Sequence, residues 1–191
     1  MKPFRIAIFA SGSGSNAEAI MHYLANHAAI EVALVVCNKE NAGVLEKANQ
    51  FGVKSILINK EEFYTSRTVL QTLQSHGVSH IVLAGFLLLV PDYLIKAYSE
   101  KIINIHPSLL PKFGGKGMYG MHVHKAVIAS AEKESGLTIH LVNEHFDDGE
   151  ILLQVKCAVD KTDTPETLGE KVLQLEHEHY PRVIAKWVTR V

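Results

Sequence analysis

The sequence predicts an α/β protein: a doubly wound, mostly parallel sheet, completed by a C-terminal antiparallel hairpin and a long final helix. Three observations carry this. Apolar runs with little polar alternation, such as Phe4–Ala10 and Val32–Cys37, recur through the first half of the 191 residues. Such runs belong to strands covered on both faces. Segments of helical period lie between them, which makes the strands parallel and the helices crossovers. Late in the chain, only Asn143–Glu150 separates two strand-like runs, Leu137–Val142 and Ile151–Val159. A connection that short makes an antiparallel pair.

Taken in order, Phe4–Ala10 reads as a strand and Ser15–Asn26 as a helix with Ala19, Ile20, Tyr23 and Leu24 on one side. Val32–Cys37 is the second strand, and the helix over Gly43–Phe51 ends at Gly52, a residue suited to a helix C-terminus. Lys54–Ile58 follows as a strand, Glu61–Ser75 as one helix closed by Gly77, and Ser79–Gly85 as a strand. Pro91 opens a short helix without losing a hydrogen bond. Lys101–Ile105 is the fifth strand. Phe113–Gly120 is dense in glycine and is expected to be a mobile loop, with Gly114–Gly120 and its Lys116 a candidate lid. Met121–Ala131 is a helix. Thr164 caps the last helix with Pro165 at its first position, and Leu168, Val172 and Leu175 form an apolar stripe. Pro181 is expected to interrupt that helix before Val183, Ile184, Trp187 and Val188 resume it.

Composition excludes several classes. At 47% hydrophobic and 20% charged residues the chain can bury a core. A net charge of -1 argues against bulk attraction to nucleic acid or an anionic membrane. Ile81–Val90, the longest uncharged apolar run, is well short of a membrane span, and Ile6–Ala10 is too short for a signal peptide. Cys37 and Cys157 lie in strand-like runs and are expected to be buried free thiols, as in a reducing compartment. These features predict a soluble cytoplasmic protein.

Two stretches stand out for chemistry. Ser11-Gly12-Ser13-Gly14-Ser15-Asn16 joins the first strand to the first helix. Its glycines let the backbone approach a ligand, and the helix N-terminus offers free N–H groups to an anion. Gly12, Gly14 and Ala17 also fit a loose dinucleotide fingerprint. The acidic residue that fingerprint needs after the second strand is displaced, since Cys37-Asn38-Lys39 precedes Glu40. A single phosphate is therefore favoured over a dinucleotide. In the second stretch, Asn104 and His106 are two apart on a strand and share a face. An amide beside an imidazole can polarise a carbonyl and move a proton. A plain strand end with a satisfied polar pair remains the alternative. His140 and Asp147 form a further imidazole–carboxylate pair, which only the fold can bring to His106. Of the eleven histidines, His122/His124 and His177/His179 are the closest pairs. Positions two apart on a helix do not share a face, and no H-E-x-x-H or paired C-x-x-C accompanies them, so no metal is expected. No G-x-S-x-G elbow supports covalent catalysis.

The glycine loop, Ala84-Gly85-Phe86, Asn104-Ile105-His106-Pro107-Ser108-Leu109-Leu110-Pro111 and Asp147, in this order, resemble the folate-dependent formyltransferase family over nearly the whole chain. The resemblance implies a Rossmann-like formyltransferase fold in one domain, residues 1–191. Residues 1–105 would be its phosphate-binding half, and 106–191 its catalytic loop, hairpin and last helix. It implies transfer of the formyl group of 10-formyltetrahydrofolate, a co-substrate, to the amine of glycinamide ribonucleotide, without a metal. Asn104, His106 and Asp147 would be catalytic, with Asp147 keeping His106 charged. Gly14, Ser15, Asn16 and Glu176 would hold the nucleotide. Arg67, Leu87, Leu88, Leu89, Val90, Asn104, Asn143, Glu144, His145, Phe146 and Asp147 would line the folate site. Leu88 stands where the family commonly has arginine. Other members carry an additional N- or C-terminal domain that this sequence is not expected to share. Formyltetrahydrofolate hydrolysis, transfer to another amine, or a non-catalytic nucleotide-binding module are the alternatives. The implied partners are the two small molecules, in a monomer or homodimer.

Overall fold

A computed structural model describes residues 2–190. Seven strands form one sheet: β1 (Phe4–Ala10), β2 (Ile30–Cys37), β3 (Ser55–Leu57), β4 (His80–Leu83), β5 (Ile102–His106), β6 (Glu134–Leu141) and β7 (Ile151–Ala158), ordered β3-β2-β1-β4-β5-β6-β7. The first five pair in parallel; β6 runs antiparallel to β5, and β7 antiparallel to β6. The doubly wound sheet and hairpin follow the expectation.

Helices cover both faces because the central strands are apolar on both. Ile6, Ile8 and Ala10 of β1 face one core, with α1 (Ser15–Leu24), α2 (Gly43–Gln50), α6 (Met121–Ala129) and α7 (Pro165–Val188). Ala7 and Phe9 face the other, with α3 (Lys60–Thr65), α4 (Thr68–Ser75) and α5 (Asp92–Ala97). The order of strands reverses between β1 and β4. Their following loops therefore part and leave a crevice at the carboxyl edge.

Three expectations need correction. The helix over Glu61–Ser75 is two helices: Ser66 is extended, with φ -117° and ψ 171°. The Ser66 hydroxyl accepts from Thr68 N, so a serine competes with the helix for the backbone. Helix α7 runs unbroken through Pro181. A proline inside a helix costs about 3 kcal/mol through its missing N–H and its ring's clash with the preceding turn, and the buried stripe of Leu168, Val172, Tyr180, Ile184 and Val188 holds the helix to the sheet against that cost. Of the two free thiols, Cys37 is buried, whereas Cys157 is only half-buried on edge strand β7. No described helix is long and apolar enough to cross a membrane.

Candidate active site

The loop after β1 turns through Gly14 at φ 76°, ψ 23°, which caps α1 without a side-chain hydrogen bond. A Cβ there would fall 2.7 Å from the Val44 backbone, so only glycine fits. The first N–H groups of α1 are thus left to a ligand. The Ser11 hydroxyl ties three loops together: it donates to Asn38 Oδ1 (2.6 Å) and accepts from Leu87 N (3.0 Å). Asn16 Nδ2 donates to Glu176 Oε2 at 2.6 Å. Glu176 is 7% exposed. Burial pushes its carboxyl up to about 7, against the opposing bond from Asn16. Asn16 Oδ1 is buried with no hydrogen-bond partner among the described residues.

The other end is built on β5 and β6. Ile103 and Ile105 face the core shared with α7, so Asn104 and His106 face the opposite side. Their antiparallel partners are His140 and Thr138. Asp147 arrives from the β6–β7 turn, where it adopts φ +54°, a conformation that aspartate tolerates better than most residues. Its Oδ2 lies 3.5 Å from His106 Nδ1 and its Oδ1 3.6 Å from His140 Nε2. Gly115 N donates to Oδ2 (2.9 Å) and Asn104 Nδ2 to Oδ1 (3.4 Å). The hydrogen bonds assign the tautomers. His140 Nδ1 donates to Leu141 O (2.8 Å), and its Nε2 stands 3.2 Å from Asn104 Nδ2 and 3.6 Å from Asp147 Oδ1. His106 Nε2 donates to Phe113 O at 2.8 Å.

Burial pushes the Asp147 carboxyl up, but His140, His106 and the Gly115 amide outweigh it and hold the group below its usual range. His106 departs from expectation. Burial pulls its imidazole down, Asp147 and the Phe113 carbonyl oppose this only in part, and the net shift is downward. In the unliganded protein His106 thus holds a second proton less tightly than a free imidazole, against the expectation that Asp147 keeps it charged. An imidazole only 3% exposed loses more hydration than one carboxylate restores.

A cleft of about 1080 Å³ joins the two ends. Ser15, Asn16, Glu176, Leu87, Leu88, Leu89, Val90, Asn104, His106, His145, Phe146 and Asp147 all line it. Four expected residues do not. Gly14 lies beneath the loop it shapes. Asn143 holds its own turn, accepting from His145 N and donating to Asp148 O, and Glu144 is exposed outside the cleft. Arg67 sits over the Tyr93 ring, 5.4 Å from its centroid. It lines a neighbouring hollow of about 740 Å³ that shares only Leu89 and Val90 with the cleft. Among the described residues no three His, Cys, Asp or Glu side chains are grouped to hold a metal.

Sequence reasoning missed a supporting pair. Thr138 Oγ1 donates to Ser108 O (2.6 Å) and accepts from Leu110 N and Gln154 Nε2, both at 3.0 Å. Gln154 Nε2 also donates to Leu110 O at 2.9 Å. Together they pin the turn that follows His106. The available signal was period two: Thr138 shares the face of His140, and Gln154 pairs with it.

The family model described as formyl transferase matches residues 4–184. Phosphoribosylglycinamide formyltransferase of Bacillus subtilis (strain 168) is 40% identical over 189 residues, covering 96% of this chain and 93% of that protein. The chloroplastic protein of the same name from Arabidopsis thaliana is 41% identical over 187 residues, covering 94% of this chain. This chain spans 64% of the Arabidopsis protein's length. The crystal structure of phosphoribosylglycinamide formyltransferase from Bacillus halodurans superposes with a TM-score of 0.88 at 38% identity, covering 97% of this chain and 96% of that one. With a match over almost its entire length, the chain belongs to the formyl transferase family.

Proposed function

We propose that this protein transfers the formyl group of 10-formyltetrahydrofolate to the amine of glycinamide ribonucleotide, a step of purine synthesis. The observation that carries the reading is one cleft with an anion-binding helix start at one end and Asn104, His106 and Asp147 at the other. The relatives bearing that enzyme's name support it.

The nucleotide phosphate takes the free N–H groups of α1, and the Asn16–Glu176 pair receives the ribose hydroxyls. The formylated folate lies against Leu87–Val90 and His145–Phe146. Attack of the amine on the formyl carbon forms the C–N bond and moves the carbonyl electron pair to oxygen. Asn104 Nδ2 exchanges its long bond to Asp147 for that oxyanion. His106 Nε2 exchanges the Phe113 carbonyl for it. The growing negative charge raises the affinity of His106 for a second proton, and Asp147 already stands at the Nδ1 position that receives it. Charge on His106 thus develops with the oxyanion, where it stabilises the transition state more than the ground state. Collapse breaks the bond to the folate nitrogen, which takes a proton from the attacking amine through this cluster.

The test is an assay with glycinamide ribonucleotide and 10-formyltetrahydrofolate that follows the folate absorbance. Transfer that requires both substrates is the expected result. Formate release without an amine would replace the reading with hydrolysis. Tight dinucleotide binding without folate binding would replace it with a nucleotide-binding module.

A further inference from the structure

His124 on α6 is 6% exposed and lines the same cleft as His106, yet the mechanism above leaves it idle. Its imidazole packs on α7 at Gly169, where an added Cβ would fall 3.2 Å from His124 Cδ2 and 3.5 Å from Nε2. Glycine inside a helix costs roughly 0.5–1 kcal/mol relative to alanine, so α7 gives up stability where this ring needs room. His124 Nδ1 is sealed from solvent without a partner among the described residues, whereas Nε2 is not sealed. A buried bare lone pair is cheaper than a buried unbonded N–H, which puts the proton on Nε2. Burial, and then His106, pull the imidazole below its ordinary value, so it is neutral at pH 7. His124 thus offers the cleft one fixed, uncharged N–H donor.

Its place along α7 says what it meets. Gly169 precedes Glu176 by seven residues, about 10 Å along a helix. If Glu176 marks the ribose, His124 lies toward the reacting end. The arm from ribose to amine spans about 5 Å at ordinary bond lengths. Its single neutral acceptor is the amide carbonyl oxygen, two bonds from the nucleophilic nitrogen's carbon and separate from the formyl oxygen assigned to Asn104 and His106.

We propose that His124 Nε2–H donates to the amide carbonyl of the acceptor substrate and so aims its amine at the formyl carbon. This rests on the proposed formyl-transfer reading.

The test crosses two proteins with two acceptors: wild type and His124→Leu, each with glycinamide ribonucleotide and with an analogue whose amide carbonyl is a methylene. With the natural acceptor, His124→Leu should lose about 30-fold in kcat/KM, within the range for stranding one buried polar group. With the analogue, the two proteins should agree within about twofold. His124→Gln, which keeps an N–H donor, should recover most of the loss. An equal loss on both acceptors would make His124 merely structural and overturn the proposal. So would wild-type enzyme that uses both acceptors equally well, a result that needs no variant to fold. Absence of any wild-type transfer to glycinamide ribonucleotide would overturn the functional reading, and this one with it.

Discussion

The two ends of the cleft are made in different ways. The phosphate end is local: Ser11 to Asn16 are contiguous, and one glycine with a positive φ exposes the helix start. Distant residues only buttress it: Asn38 and Leu87 bond Ser11, and Glu176 reaches Asn16 across 160 residues. The reacting end is assembled from β5, β6, the β6–β7 turn and the glycine-dense loop, and Asp147 meets Asn104 and Gly115 across 43 and 32 residues. A local site tolerates distant change, whereas an assembled one inherits the geometry of each part. Substitutions should therefore separate into binding effects at the first end and turnover effects at the second.

The largest effects should come from the reacting groups. Asn104→Ala, His106→Ala and Asp147→Ala are each expected to lose at least ~100-fold in turnover while still binding nucleotide. A fully active His106→Ala would remove the mechanism. Gly149→Ala comes next, because its Cβ would stand 1.7 Å from Leu141 O and force the Asp147 turn to move. A displacement near 1 Å costs roughly 100-fold. Its counterpart Gly14→Ala should instead raise KM for the phosphorylated substrate with less effect on kcat. Steady-state kinetics on both variants checks the contrast, and matching kcat losses would break it.

Glu176 gives a pH test of the phosphate end. Its carboxyl, ordinarily at 4.5, sits at about 7 in the folded protein. The folded state therefore binds this proton more tightly than the unfolded chain does. The stabilisation is full below the ordinary value and is lost as pH rises through the folded one, up to about 3 kcal/mol. Between pH 5 and 8 the unliganded wild type should lose Tm relative to Glu176→Gln; parallel curves would contradict the buried acid. The smallest effect belongs to Gln154→Leu, which removes two partly exposed hydrogen bonds. About 1 kcal/mol of stability and under fivefold in turnover are expected, measured by urea unfolding and the transfer assay.

Much of this was legible in the residues. Apolar strands, helix caps and the short Asn143–Glu150 connection encode the sheet through local chemistry. The run from Asn104 to Pro111 suggested the proposed reacting end through its resemblance to the family, since residue type alone left a plain strand end open. The break at Ser66 was hidden because a serine's competition for the backbone does not disturb the helical period. The continuity at Pro181 was hidden because packing, not propensity, holds α7. Arg67 looked like a cleft residue, but its stacking on Tyr93 turns it into the adjoining hollow.

By itself, the sequence determined the alternation of strands and helices and the glycine that bares the start of α1, which follow from covalent geometry and short-range hydrogen bonding; its resemblance to the family supplied the side chains proposed to react. Tertiary structure alone decided that Asp147 meets His106 and His140, that Glu176 reaches Asn16, and that burial lowers the proton affinity of His106. Those outcomes depend on distance and lost hydration. Both are set by which surfaces pack together, and neither is carried by any residue's neighbours in the chain.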